Sequence, residues 1–547
     1  MLRSISRIAD RAVAYFSMEM ALKKGMATYA GGLGILAGDV MRSAADLNLP
    51  IVGVTLANRA GYFKQLLGPS GQQQEAPDAW SPERYATALG TKVVVQLEER
   101  SVWIGAWLYQ VASRSGASVP VILLDTNLPE NGIEDRTLTD RLYGGDAAYR
   151  LKQEAILGIG GVRMLRALAM HVVCFHMNEG HSALLGLELR RSRERVRCVF
   201  TTHTPVDAGH DRFPYPLVSQ VLKDYFSLDE MKQLAGKDQL NMTQLALSLA
   251  DYVNGVARRH AEVSQGMFPT YKIRAITNGV HPYTWTSEPM RSLYNHHIPD
   301  WDQRPERLMH ADQIKSADLW AAHLAAKVAL LRTIRERGGP SMNQDLPIIG
   351  FARRMTAYKR TTLIFREVDR LKSIAAKYPF QIVCAGKAHP RDTEGKQDVE
   401  QLHRHAAALS GTIDIAFLAD YDMDLALTLV SGSDLWLNTP LPPLEASGTS
   451  GMKAAFNGVP NLSVLDGWWQ EGCIEGVTGW AIGDNTDTND ESHAAALYDK
   501  LERVVLPLWH EDREGWISAM KGAIGRNANY FNSHRMMHQY AAEAYLL

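Results

Sequence analysis

Residues 347–360 read PIIGFARRMTAYKR, an uncharged run of six followed at once by four cations, Arg353, Arg354, Lys359 and Arg360. An apolar run this short, branched and without alternation, suits a strand buried on both faces of a parallel sheet. The same grammar recurs outward: VAYFSM, PIVGVTL, VVCFHM and CVFTTH in the first half, QIVCAG, IDIAFL and DLWLN in the second. Longer helical patterns separate these runs. Residues 318–339 carry a helical period, with Ser316 near the start and a glycine pair near the stop. Two α/β units follow, 1–278 and 279–547, divided at the Asn-Gly and His-Pro turn signals of residues 278–284. Ligands of open parallel sheets gather beyond the carboxyl ends of the strands. The residues after each run therefore matter: His203 and Thr204, the cations after 352, Lys387 and His389, and the loop PLEASGTSGMKAAFNG at 443–458.

The chain of 547 residues has core material for two to four domains. Lys plus Arg number 58 against 60 Asp plus Glu, a net charge of −2, which exerts no general pull toward nucleic acid or anionic membrane. RRSRERVR at 190–197 reads as a solvated helix end. Four cysteines without a CxxC read as buried free thiols in a reducing compartment. Asp10 and Glu19 break the N-terminal stretch before an apolar signal core forms, and no run reaches 18 apolar residues. A cytoplasmic protein without membrane or nucleic-acid partners is expected.

In GTSGMKAAFNG the glycine and hydroxyl residues precede a helix start, a geometry that holds phosphate. Lys453 is expected in the first turn, where the macrodipole and burial favour the neutral amine that forms Schiff bases. A phosphorylated aldehyde, pyridoxal phosphate being the common one, would satisfy both halves of the loop. The alternative is a capping loop with an exposed lysine. GGLGILAG at 31–38 is a poor dinucleotide fingerprint and a better site for close backbone approach, or else an ordinary tight turn. The cations of RRMTAYKR would repel one another without anions between them, unless they line a solvated helix face. No metal is assigned: HMNEGHS at 176–182 lacks zinc-protease spacing, and His403 and His405 cannot share a helical face. There is no GxSxG, and Glu445 has no obvious second acid beside it.

Together with YFSMEM, YAGGLGILAGD, MNEGHSALL, TTHTPVDAGHD, ITNGVHPYTW, FARRMTAYKR, AGKAHP, DYDMDLA and EASGTSGMKAAFNG, the chain resembles the α-glucan phosphorylases of glycogen, starch and maltodextrin, in particular their short bacterial and archaeal branch. The resemblance spans nearly the whole sequence. It implies an α/β fold of two Rossmann-like domains facing a cleft, GT-B-like, and reversible phosphorolysis of α-1,4-glucan to α-glucose 1-phosphate with retention. Lys453 would carry pyridoxal phosphate as a Schiff base, with Thr449, Ser450, Arg353 and Lys359 near its phosphate. Arg354 would grip the substrate phosphate, helped by the Gly31 and Gly32 turn. Glu445, Ser447, Gly448, Asn278, Tyr358 and His203 would hold the glucose or its transition state, and catalysis would fall to Lys359, Arg354, His203 and Glu445. The chain departs from long family members at Thr356, Ala357 and Asp422, positions near the cofactor ring. Trp468 and Trp469 would stack on glucan or lie in a core. The resemblance also implies glucan and inorganic phosphate as partners and a homodimer. Its rivals are a nucleotide-sugar GT-B transferase without pyridoxal and a decayed glucan-binding protein.

Overall fold

The computed structural model describes residues 11–206, 209–484 and 489–546. The N-terminal stretch through Asp10, and Asp207 and Ala208 of TTHTPVDAGHD, lie outside these residues. The first half carries β1 (Ala12–Phe16), β2 (Ile51–Leu56), a hairpin of β3 (Lys64–Leu67) and β4 (Gln73–Ala76), β5 (Thr87–Leu97), β6 (Arg100–Ala112), β7 (Ser118–Asp125), β8 (Val172–Asn178), β9 (Arg197–Thr201), a short pair β10 (Arg212–Pro214) and β11 (Gln239–Asn241), β12 (Tyr252–Gly255) and β13 (Ile273–Ala275). Nine of these form one sheet in the order β13-β12-β9-β8-β1-β2-β7-β6-β5, parallel except where β6 and β5 close the edge antiparallel. The second half supplies β14 (Ile348–Ala352), β15 (Gln381–Ala385), β16 (Ile415–Leu418), β17 (Leu435–Asn438), β18 (Asn461–Val464) and β19 (Gly479–Ile482), a wholly parallel sheet ordered β16-β15-β14-β17-β18-β19. All eight apolar runs are strands. They are buried along most of their length, which is why they show no alternation.

Each sheet is covered on both faces by helices. Helix Ser316–Glu336 enters the second unit where the period placed it, but Ser316 is its first helical residue and its hydroxyl bonds Glu514 rather than capping the helix. The expected second unit, 279–547, does not keep its last turns. Met536, Met537, Tyr540 and Tyr545 pack beside Val13, Tyr15 and Val199 in the first core. Polar bonds lock this return: His176 Nδ1 lies 2.7 Å from the Tyr545 hydroxyl, and the Tyr540 hydroxyl 3.0 Å from Thr201 Oγ1. Nothing in the apolar pattern of a terminal amphipathic helix says which core it will join.

The chain thus crosses between the units twice, and the crossings touch. Val280 N–H donates to Phe531 O at 3.1 Å, and Ser533 N–H to Val280 O at 2.9 Å. Gly279 permits the approach, because a Cβ there would fall 2.2 Å from the Asn532 carbonyl. Beside them Asp46 Oδ2 receives His281 Nε2 at 2.8 Å and His534 Nε2 at 3.2 Å. Thr284 N–H donates to His281 Nδ1 at 3.2 Å, so that ring carries its proton on Nε2 and spends it on Asp46. This cluster of metal-ligand residue types is a hydrogen-bonded clasp.

A third connection is the β3–β4 hairpin, which reaches from the first unit onto the strand ends of the second. Gln65 Nε2 donates to Gly386 O and Gln73 Nε2 to Ala388 O, both at 2.9 Å. Asp420 accepts from Gln65 N–H at 3.1 Å and pairs with Lys387 at 2.6 Å. Lys387, expected at the ligand edge, is spent on this docking.

Candidate active site

The loop leaving β17 bends back over the sheet edge into helix Thr449–Ala455, with Gly448 at φ +85° before its first turn. Lys453 is the fifth of its seven residues, so it stands in the last turn and not the first as expected. Its amine is nevertheless held down to about 8, by burial, with Arg42 adding to the effect and Asp39 opposing it. At this end of the helix the macrodipole favours the ammonium, so burial works against it. The amine lies 3.8 Å from the centre of the Trp285 ring and has no hydrogen-bond acceptor among the described residues. Ser450 Oγ receives the indole N–H of Trp436 at 3.1 Å.

Within the same loop Glu445 forms an ion pair with Lys359. Burial works against the lysine's charge, and Glu445 outweighs it, lifting the ammonium above its ordinary value. Glu445 N–H is held by Asp466 Oδ2 at 2.8 Å. Burial and the Glu445 charge push the Asp466 carboxyl up to about 6, against the two backbone N–H groups it accepts. Ser447 O accepts Trp468 N–H at 2.9 Å, while Ser447 Oγ is buried without a partner among the described residues. Trp468 and Trp469 are 2% and 0% exposed within the second core, so the core role is the one they have.

The cations after β14 do not share one fate. Arg353 is buried and turned into the scaffold: its guanidinium donates to Lys359 O at 3.2 Å, to Leu437 O and to Asn438 Oδ1 at 3.1 Å, leaving Nε orphaned. Burial lowers it to about 10. Arg360 bonds Thr439 O at 2.9 Å and Asp490 at 3.0 Å. Tyr358 gives its carbonyl to Leu441 N–H at 2.7 Å, and its ring centre lies 4.9 Å from Lys359 Nζ. Arg354 alone of the four has no acidic or carbonyl partner among the described residues. It opens into the cleft, and a Cβ on Gly31 would lie 2.7 Å from its Nη2. Desolvation by the walls opposes its charge, but Tyr358 and Glu19 outweigh it and raise its pKa.

The glycine turn lies at the start of helix Gly32–Asp46, as expected, and meets Arg354 across the cleft. Within the turn Gly31 N–H donates to Glu19 Oε2 at 3.1 Å, beside Ala30 N–H at 2.6 Å. Gly32 has open space around its Cα. His203 follows β9 with its N–H on Glu179 Oε2 at 2.7 Å and its Nε2 on Asn178 Oδ1 at 2.7 Å. Burial drops this imidazole to about 3, so it is neutral. Glu179 holds φ +75°, a strained position that aims its carboxylate at His203 and Thr204. Asn278 is fixed through its backbone to Val256 O at 2.9 Å and to Arg535 at 3.0 Å, and its Oδ1 is a buried acceptor without a partner. No hydrogen bond or ion pair joins His203 or Asn278 to Lys359, Glu445 or Lys453 among the described residues. Glu19, Glu179, Trp285 and Asp466 escaped the sequence reading. YFSMEM and LDGWW carried the signal, as acids set inside otherwise apolar runs.

Two parallel α/β sheets facing each other across a cleft, with cations and one buried amine at their strand ends, define a GT-B-like fold. A family model described as carbohydrate phosphorylase matches residues 206–471. The chain is 37% identical to the maltodextrin phosphorylase of Thermococcus litoralis, over 98% of its own length and 70% of that protein. It is 36% identical to the glycogen phosphorylase of Aquifex aeolicus, over 97% of its length and 86% of the relative. An uncharacterised protein of Methanocaldococcus jannaschii is 31% identical over 97% of this chain and 99% of its own. The chain belongs to the carbohydrate phosphorylase family. Among the described residues no helix is long and apolar enough to cross a membrane.

Proposed function

We propose that the protein is an α-1,4-glucan phosphorylase that transfers a terminal glucosyl unit to inorganic phosphate, giving α-glucose 1-phosphate with retention, and that pyridoxal phosphate is its cofactor. The observation that carries this reading is Lys453, a buried amine lowered to about 8 and without a hydrogen-bond acceptor among the described residues, on the helix that follows the Glu445 loop. A lysine that were merely structural would be paired.

The residues present fit the cofactor. Lys453 would hold it by its amine, Trp285 would flank it, and Thr449, Ser450, Lys359 and the leftover Nε of Arg353 would serve its phosphate. When bound, pyridoxal phosphate supplies a phosphate monoester whose second ionisation near ~6 suits proton exchange at neutral pH. The chain's own part is electrostatic. Arg354, the cation left without a partner, binds substrate phosphate against the glycine turn. Lys359 is kept charged by Glu445 and adds a second cation. Neutral His203 puts no positive charge beside a developing oxocarbenium ion, and its carbonyl dipole would stabilise one. Asn278 Oδ1, Ser447 Oγ, the Gly448 backbone and Tyr358 offer hydrogen bonds to the glucose hydroxyls.

The test is phosphate-dependent release of glucose 1-phosphate from maltoheptaose by protein made with pyridoxine, with absorbance near the pyridoxal band tied to Lys453 by borohydride. Arg354→Ala should raise the KM for phosphate about 10- to 100-fold, the worth of a charged hydrogen bond, with little change in glucan KM. Turnover of a nucleotide sugar by protein lacking pyridoxal would displace this reading.

A further inference from the structure

Glu19 ends the run that follows β1 and is 1% exposed. Its Oε2 accepts the N–H groups of Ala30 and Gly31, at 2.6 and 3.1 Å, and its Oε1 accepts the Tyr143 hydroxyl at 2.7 Å. The Tyr143 ring lies 4.6 Å beneath the Arg150 guanidinium, which pairs with Asp211 at 2.9 Å and Glu154 at 3.0 Å. Gly34 makes room for the carboxylate, since a Cβ there would sit 2.7 Å from Oε2. On the opposite side of Gly31 stands Arg354. The turn is therefore one residue thick, with a buried anion behind it and an unpartnered cation before it.

Two effects of opposite sign meet at this carboxylate. Its hydrogen bonds hold the turn where Arg354 can share a ligand with it, and they are the strong, charge-assisted kind. Its negative charge, in a poorly solvated place, repels any phosphate that Arg354 attracts. We propose that Glu19 is a positioning residue that fixes the glycine turn opposite Arg354 and limits the affinity for phosphate, an inference that rests on the phosphorylase reading above. It is a brake and a bracket in one group.

The two effects separate in two variants. Glu19→Gln keeps one oxygen, enough for the two N–H groups that share Oε2, turns its NH2 to the Tyr143 hydroxyl and removes the charge, so phosphate should bind about three- to tenfold more tightly. Glu19→Ala removes the bracket, and phosphate affinity should fall about 10- to 100-fold. The readouts are the phosphate Kd by calorimetry on the cofactor-loaded protein, and the KM for phosphate and for maltoheptaose. Glucan KM should stay within a factor of about two in both. Variants that shift phosphate Kd in the same direction, or that move glucan KM as far as phosphate Kd, overturn the proposal. Should Glu19→Ala not fold, Tyr143→Phe, which frees Oε1, is expected to weaken phosphate binding a few-fold, about one neutral hydrogen bond's worth, and an unchanged Kd counts against us. A wild-type protein that binds phosphate but forms no glucose 1-phosphate sinks the phosphorylase reading, while the Kd series still decides the role of Glu19.

Discussion

At the scale of single residues, Lys453 shows how burial prepares a nucleophile. An amine lowered to about 8 is roughly 10% neutral at pH 7, against far less than 1% at the ordinary lysine value. The rate at which the cofactor-free protein takes up pyridoxal phosphate should therefore climb about tenfold per pH unit below 8 and level off above it. Stopped-flow absorbance checks this, and a rate still rising at pH 10 would show that the amine is not perturbed. The sequence showed that Lys453 belongs to a helix entered from a glycine and hydroxyl loop, because such residues before a helix are a local signal. Burial was expected there but not what supplies it, since the walls that desolvate the amine, Trp285 among them, come from 168 positions earlier in the chain. The cation run fared likewise: four charges in eight residues were legible, but not that three are spent on carbonyls and acids while Arg354 stays unpaired.

At the scale of elements, the strands were readable because both faces are buried, and the loops were not, because loops are held by their neighbours. The segment LDGWW illustrates this. Its Asp466 takes the Glu445 N–H, and its Trp468 N–H takes the Ser447 carbonyl, so one loop is the mould of the other. Asp466, at about 6, sits above its ordinary value of 3.8. The folded protein thus holds this proton more tightly than the unfolded chain, and stability falls as pH rises from about 4 to about 6. Asp466→Asn should flatten that part of the thermal-midpoint profile. It should also lower kcat/KM about tenfold, because an amide can accept only one of the two N–H groups. Identical pH profiles for variant and wild type would remove Asp466 from this account.

At the scale of the molecule, the two crossings and the β3–β4 hairpin are among the ties between the units, and of these only the first crossing carried a turn signal in the sequence. The hairpin's glutamines and the returning helix with Tyr540 make contacts hundreds of positions distant, to which no periodicity is sensitive. Replacing both Gln65 and Gln73 by alanine removes four bonds between the units. At about 1 kcal/mol each they should matter: unfolding should split into two calorimetric transitions, and phosphorolysis should slow about tenfold. A single transition at the wild-type midpoint with full turnover would make the hairpin a bystander.

The paired crossings near Gly279 and Asn532 set a limit on how the two halves travel. A lone connector lets one body swivel about it in any sense, whereas two laced side by side resist twisting and yield only to bending. Bending about the paired crossings is therefore the displacement they oppose least, and it is the one that would change the spacing of Gly31 and Arg354.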